Sequence, residues 1–491
     1  MDYSVFVNGA KTMLIAPAGY GKTYTIVECL KYTIGRQLIL THTHAGVAAI
    51  KEKIRAANIE NKKYNIETIS SFAQKYVNAF YIGDEMPNQE EKEYFAFIVN
   101  MACELFCIDQ VKKVIEVTYS GLFVDEYQDC SKKQHEMIMA LANILPTHIV
   151  GDPMQGIFDF NGDIIDLDSD IKGFERSQLE TPHRWYINES NALGDALKSM
   201  RDLLEKEQII DLNNYSNVNG LHIMLIDQHG QKKKDITDVH SLYRRGIYKL
   251  LHNPDDNPDF TSLLLLVPNI HSKSNINARK QLRAQIDYTK SLTLIEAIDQ
   301  EDLYKIATNI DEIINSPESY VQIKNGILSI LFNLGNINNW FNDTGLKNKT
   351  NSDEKVVSEK LGEALDNFLA NPSPFSMIIL LNKLKNEFKF KYGREELWNG
   401  IIKALENASQ EGITVYEGMK RHRNVVRRTG RKVTGKCLGT TLLTKGLEFD
   451  TVAILDAHEF DCRKHLYVAL TRCCKNLIIF TKNVVLSPYK E

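Results

Sequence analysis

The stretch Met13–Thr23, MLIAPAGYGKT, constrains what this chain can fold into more than any other. Met13 to Ala16 is a short apolar run and predicts a buried strand. A loop of small residues follows, Pro17-Ala18-Gly19-Tyr20-Gly21, and Lys22-Thr23 open an amphipathic segment that predicts helix to about Ile34. The pattern is [AG]-x4-G-K-[ST] with Ala16 in the first slot, a phosphate-cradling loop. Gly19 and Gly21 let backbone N–H groups converge on phosphate oxygens with no Cβ in the way. The helix N-terminus adds partial positive charge. Lys22 is placed to neutralise the β- and γ-phosphates of ATP, and the Thr23 hydroxyl to ligate Mg²⁺.

Two more apolar runs end in polar residues of the kind such a loop needs. Leu122-Phe123-Val124 predicts a strand that delivers Asp125 and Glu126 at its carboxyl end, where ligands sit in parallel α/β sheets. Asp125 suits a Mg²⁺ carboxylate, and Glu126 an orienting base for an attacking water. His148-Ile149-Val150 predicts another strand, ending in GDPMQGIFDF. There Gln155 can sense a γ-phosphate through its amide. Phe158 and Phe160 stand among Asp, Asn and Gly, which points to a base-stacking platform. Between these blocks Gln37–Leu40 predicts a strand ending in Thr41-His42-Thr43-His44, then a helix from Ala45 to about Ala57.

With 491 residues, 43% of them hydrophobic and 25% charged, the chain has length for two to four domains. The net charge is −4, so any nucleic-acid surface must come from local clustering. No apolar run is long enough to span a bilayer, no leader pattern opens the chain, and no membrane association is expected. The eight cysteines form no C-x-x-C pair or Cys/His zinc spacing. A reducing, cytoplasmic setting is expected.

The second half predicts strands at Leu221–Ile226, Leu263–Val267, Cys437–Leu443, Thr451–Leu455 and Asn476–Thr481. Residues 76–117 predict a small helical insertion, and 285–420 are helical, Asn-, Ile- and Lys-rich, with no chemical motif. Met419–Lys436 holds eight Lys/Arg and no acid directly before a strand. Its Arg427, Arg428 and Arg431 suit a phosphate-backbone contact. Arg472 ends an apolar helix, His465–Arg472. An arginine so placed needs an anion, and a γ-phosphate across a domain cleft would serve.

Taken in order, these blocks resemble the UvrD/Rep-type superfamily 1A DNA helicases. APAGYGKT is similar to motif I, THTHAGVAAIKEKI to motif Ia and TISSF to motif Ib. DEYQD is similar to motif II, GDPMQGIFDF to motif III and TPHRW to a degenerate motif IV. TKGLEFD is similar to motif V and HLYVALTR to motif VI. The compact form is similar to the helicase-like subunit of Gabija-type antiphage systems, which works beside a nuclease. The chain departs from the family at Leu442, His42 and His44, and has no glutamine before the phosphate loop.

The resemblance implies an α/β fold of two RecA-like P-loop NTPase domains, parallel sheets flanked by helices, with helical insertions. The first domain would be 1–75 with 118–185, and its insertion 76–117. The second would be 186–284 with 435–491, and its insertion 285–434, carrying the basic segment 419–436. The nucleotide would be cradled by Ala16, Pro17, Ala18, Gly19, Tyr20, Gly21, Lys22 and Thr23, with Glu448 at the ribose. Mg²⁺ would be held by Thr23 and Asp125. Lys22, Glu126, Gln155, Arg184 and Arg472 would serve catalysis, the two arginines as fingers. DNA would meet His42, Thr43, Phe72, Phe158, Phe160, Arg427, Arg428, Arg431 and Lys445. The activity implied is ATP-driven translocation on single-stranded DNA or unwinding of tailed duplex, generally 3′ to 5′, in repair or antiphage defence. The competing reading is a DNA-stimulated ATPase subunit that signals to a partner nuclease with little unwinding.

Overall fold

Strands buried on both faces must be apolar along their whole length, and those that form the centre of this chain's sheets are. The computed structural model describes residues 1–83, 86–87, 93–157, 164–225, 262–268, 279, 282–283, 292–295, 300–392, 394–429 and 435–489. Six strands build the first sheet: β1 (Lys11–Ile15), β2 (Gln37–Thr41), β3 (Tyr64–Thr68), β4 (Gly121–Val124), β5 (Thr147–Gly151) and β6 (Glu175–Gln178). They run parallel in the order β3-β2-β4-β5-β1-β6. Every residue of β2, β4 and β5 is buried, whereas the edge strand β6, Glu-Arg-Ser-Gln, is exposed throughout.

Successive side chains of these strands feed opposite faces. Leu14, Ile39, Phe123 and Val150 meet the helices Lys22–Tyr32 and His44–Ala56 on one side. Met13, Leu38, Leu40, Leu122, Val124 and Ile149 face the other. That second face is covered by Ile69–Phe80, Glu93–Leu105, Asp109–Thr118 and Lys132–Ala142. Within the segment 76–117, expected as an insertion, the helices Glu93–Leu105 and Asp109–Thr118 form a layer on the first sheet: Ile98, Val99, Ala102, Val111 and Ile115 share its core. Among the described residues no single helix is long and apolar enough to cross a membrane.

The rest of the chain adds β7 (Ile210–Asp211), β8 (Leu221–Leu225), β9 (Leu263–Val267), β10 (Thr293–Leu294), a hairpin of β11 (Phe341–Asn342) and β12 (Gly345–Leu346), then β13 (Lys436–Thr440), β14 (Phe449–Ile454), β15 (Cys473–Thr481) and β16 (Val485–Leu486). A second six-stranded parallel sheet has the order β10-β13-β9-β14-β15-β8. The fold is α/β, two RecA-like parallel sheets flanked by helices. Both sheets belong to one compact unit, 1–295 with 430–491.

Residues 296–429 form a second unit, helical apart from the β11–β12 hairpin and an isolated bridge between Phe332 and Tyr392. Its core gathers Leu303, Ile310, Ile327, Leu365, Phe368, Leu381, Trp398, Ile401 and Met419. Helices Glu395–Glu411 and Val415–Thr429 approach so closely that a Cβ on Gly418 would stand 2.3 Å from the Ala404 carbonyl oxygen. A helical glycine exchanged for alanine ordinarily gains about 1 kcal/mol. Here the obstacle is backbone, which cannot swing aside, and overpacking of this kind costs roughly 1–3 kcal/mol. Gly418→Ala should therefore destabilise the helical unit, seen as an earlier unfolding transition in denaturant. A later transition would show that the two helices can part at no cost.

Candidate active site

Beyond β1 the chain turns sharply, with Ala16 N–H donating to the Gly151 carbonyl at 2.9 Å and Tyr20 N–H to that of Pro17 at 3.1 Å. Gly19 (φ +78°) and Gly21 (φ +96°) take up left-handed conformations that favour glycine. A Cβ on Gly19 would also lie 2.7 Å from the Trp185 ring. Gly21 opens helix Lys22–Tyr32 with no side chain capping it, so the first-turn N–H groups face the loop's concavity. The Ala18 and Tyr20 side chains are buried, and both belong to the core of the second sheet.

The carboxylates stand where β4 ends. Asp125 is 4% exposed and accepts from Glu126 N–H at 2.9 Å. Burial, and then the neighbouring Glu126 charge, push its carboxyl up to about 7. Burial works to raise Glu126 too, but Lys22, Gln128 and Lys445 outweigh it and hold Glu126 down at about 2. Lys22 Nζ lies 3.2 Å from Glu126 Oε2. Glu126 is itself left-handed at φ +54°, an uncommon state for a residue with a side chain and one that concentrates at functional sites. The Thr23 hydroxyl and Asp125 carboxylate are hard oxygen donors, the kind Mg²⁺ takes, and a carboxyl raised by burial beside a second anion is one that a cation would stabilise.

From the second half come two of the expected residues, Glu448 and Arg472, which meet Arg184 from the end of the first. Register pairs Phe449 of β14 with Cys473 of β15, which sets Glu448 and Arg472, the residues just before each, side by side. Arg472 is 2% exposed and donates to the carbonyls of Val468 (3.0 Å) and Leu447 (3.4 Å) and to the Thr471 hydroxyl (3.3 Å). Burial, with Arg184 nearby, draws its pKa down to about 10. Arg184, on helix His183–Ile187, donates to the Thr471 carbonyl and pairs with Glu448 at 2.6 Å. Burial opposes ionisation of Glu448, but Arg184 holds it below the usual carboxylate range. The Arg184 backbone N–H bonds the Gly19 carbonyl at 2.8 Å, so this segment lies on the phosphate loop.

Several residues of the site were not singled out from the sequence. Asp152, fully buried, accepts from Met154 N–H (3.2 Å), Gln155 Nε2 (2.8 Å), Arg201 (3.0 Å) and the Tyr467 hydroxyl (3.1 Å). Tyr467 also accepts from the Ala18 N–H of the phosphate loop at 2.9 Å. Gln128 donates to Glu126 at 2.6 Å and accepts from Asp152 N–H at 3.0 Å. Asp152 and Tyr467 lie inside motifs that were recognised. Arg201 carried its own signal: it interrupts the apolar stripe Leu193, Ala196, Leu197, Met200, Leu204 of helix Asn191–Glu205.

The expected DNA contacts fare differently. Phe72 is fully buried among Tyr76, Phe106 and Tyr119, so its ring packs the first sheet's core and presents no face to a strand. Lys445, expected at DNA, is buried instead: its ammonium lies 2.5 Å from both Asp129 and the Gln155 carbonyl oxygen, joining the two halves. Burial lowers the Lys445 pKa and raises that of Asp129 to about 6. His42 is partly buried, 3.5 Å from Cys130 Sγ, and burial lowers its pKa to about 4, so it is no cation at neutral pH. Thr43 is exposed and caps helix His44–Ala56 through Gly46 N–H. Phe158, Phe160 and Arg431 lie outside the described residues. The basic segment begins as helix Val415–Thr429, which carries Arg427 and Arg428 near its end and turns Met419 and Arg423 inward.

Residues 4–161 match the family described as an AAA domain, a stretch that holds Lys22, Asp125, Glu126 and Gln155. No curated protein matches the chain. Among solved structures, the complex of an arterivirus non-structural protein 10 (helicase) with DNA aligns at 14% identity and a TM-score of 0.25, over 47% of this chain and 48% of that one. The chain thus spans about half the length of that helicase.

Breaking one side of a buried ion pair leaves a charge without its partner and costs roughly 3–5 kcal/mol. Arg201→Leu, which leaves Asp152 to neutral donors alone, should lower stability by about that much in chemical denaturation. A loss below about 1 kcal/mol would mean that water reaches Asp152 in the folded protein.

Proposed function

We propose that the chain is an ATP-driven motor on DNA, a translocase or helicase of single-stranded or tailed duplex substrate moving 3′ to 5′. The observation that carries the reading is Arg472. It is a fully buried guanidinium from the second sheet whose hydrogen bonds all go to neutral acceptors, close enough to feel the charges of Glu448 and Glu126. A buried cation so placed beside a phosphate loop is suited to a γ-phosphate.

The roles follow from the groups in place. First-turn N–H groups and Lys22 would bind the phosphates. Thr23 and Asp125 would hold Mg²⁺, which supplies charge neutralisation on the β- and γ-oxygens. Glu126 would orient and deprotonate water. At rest its charge is shared with Lys22, and phosphates that draw Lys22 away would release it for that task. Arg472 and Arg184 would stabilise charge as the terminal phosphoryl leaves. The buried ring of Phe72 and the internal pairing of Lys445 favour a second reading, a DNA-stimulated ATPase that signals to a partner with little unwinding. A strand-displacement assay on tailed duplex separates the two.

Lys22→Ala should lower both nucleotide binding and turnover. Glu126→Gln keeps the shape and loses the base, so ATP should bind while turnover falls roughly 10²-fold or more. Arg472→Ala should leave nucleotide affinity within a few-fold and remove the DNA-stimulated rate, by roughly 10³-fold. Lysine should rescue poorly, since a point charge cannot fork across two oxygens. Steady-state ATPase with and without single-stranded DNA, beside nucleotide binding, measures all three. Full DNA stimulation in Arg472→Ala would remove the arginine from the mechanism.

A further inference from the structure

Glu126 has two anchors in this structure, and they differ in kind. Lys22 is one, and it is the cation that incoming phosphates would claim. Gln128 is the other, 2% exposed, with both ends of its amide engaged. Nε2 donates to Glu126 Oε2 at 2.6 Å, and Oε1 accepts from Asp152 N–H at 3.0 Å. Only one orientation of the amide satisfies both bonds. Once phosphate draws Lys22 off, Gln128 is the side chain left to fix the Glu126 carboxylate.

The far end of Gln128 rests on a residue that the second half controls. Asp152 is held through its carboxylate by Arg201 and by Tyr467, whose hydroxyl donates to Oδ2 at 3.1 Å. Tyr467 is 2% exposed and sits on helix Arg463–Leu470, four residues before Thr471 and five before Arg472. Its hydroxyl accepts from Ala18 N–H of the phosphate loop at 2.9 Å. The same helix thus touches the phosphate loop, supports Arg472 through the Val468 carbonyl, and reaches the base through Asp152 and Gln128.

We propose that Tyr467 and Gln128 are positioning residues of one hydrogen-bond relay, which ties the orientation of Glu126 to the docking of the helix that precedes Arg472 on the phosphate loop. The relay lets closure of the second half set the base and the arginine together. Buried networks of this sort act as units, because each bond fixes the geometry of the next. The proposal rests on the reading that this site hydrolyses ATP.

The test is a double-mutant cycle on the full chain with Tyr467→Phe, Gln128→Met and the pair combined. ATPase is measured with single-stranded DNA present, alongside ATP KM and the thermal unfolding midpoint. Each single variant should lower kcat about ten-fold, the loss of roughly one hydrogen bond from the transition state, with KM within about two-fold. The combined variant should be no slower than about ten-fold, since a relay already cut cannot be cut again. Packing loss alone would lower the midpoint and leave this split absent. Full kcat in Tyr467→Phe, or an additive loss of about a hundred-fold in the double variant, would overturn the relay. Tyr467→Phe keeps the ring, so it decides the matter even where Gln128→Met melts early. A wild-type protein with no Lys22-dependent ATPase would instead defeat the hydrolysis reading, and the relay with it.

Discussion

A carboxylate with no access to water must be surrounded by donors, and Asp152 is. Two donors come from its own turn, Met154 N–H and Gln155 Nε2, and two from the second half, Arg201 and Tyr467. An isolated buried charge would cost several kcal/mol, so the four donors are a condition for the fold rather than an addition to it. The arrangement works only when the helices Asn191–Glu205 and Arg463–Leu470 are both seated against the end of β5. The two sheets are thereby joined at the point where the phosphate loop, the base and the arginine also meet.

Apolar packing reinforces the junction. Ala18 and Tyr20 of the phosphate loop, Met154 beyond β5 and Trp185 beside Arg184 all belong to the core built on the second sheet. Gly19 must lack a Cβ because Trp185 occupies that space, so the loop's shape is set from both sides. A phosphate loop is often described as a feature of one domain. In this chain its backbone and small side chains form part of the surface between two.

Much of this was legible in the sequence, and the exceptions have physical causes. Strands β1, β2, β4, β5, β9 and β14 announce themselves as apolar runs, because helices cover both their faces. Strand β6 does not: Glu-Arg-Ser-Gln at an exposed edge has no apolar side to show. The helices after residue 76 looked like an insertion because their outward faces are charged, yet their inner stripes fill the first sheet's core. Residue types alone placed Lys22, Asp125, Glu126 and Arg472 at the ends of the elements that hold them, whereas Arg184 came only from the family resemblance. They could not separate a lysine that meets DNA from one that meets Asp129, since both uses want the same cation beyond the same short helix. Phe72 shows the same limit, an aromatic whose direction only the packed helix decides.

Among the described residues two buried ion pairs span the halves, Asp152 with Arg201 and Asp129 with Lys445. To part the sheets is to return four charged groups to water. Hydration of ions is enthalpically favourable and entropically costly, so its free energy weakens as temperature rises, while the contribution of apolar contact levels off. A joint held by charge therefore goes on gaining with heat where one held by apolar contact alone has levelled off. On warming, water becomes the poorer competitor for these four groups, so the charged part of the joint loses least where heat presses hardest on the rest.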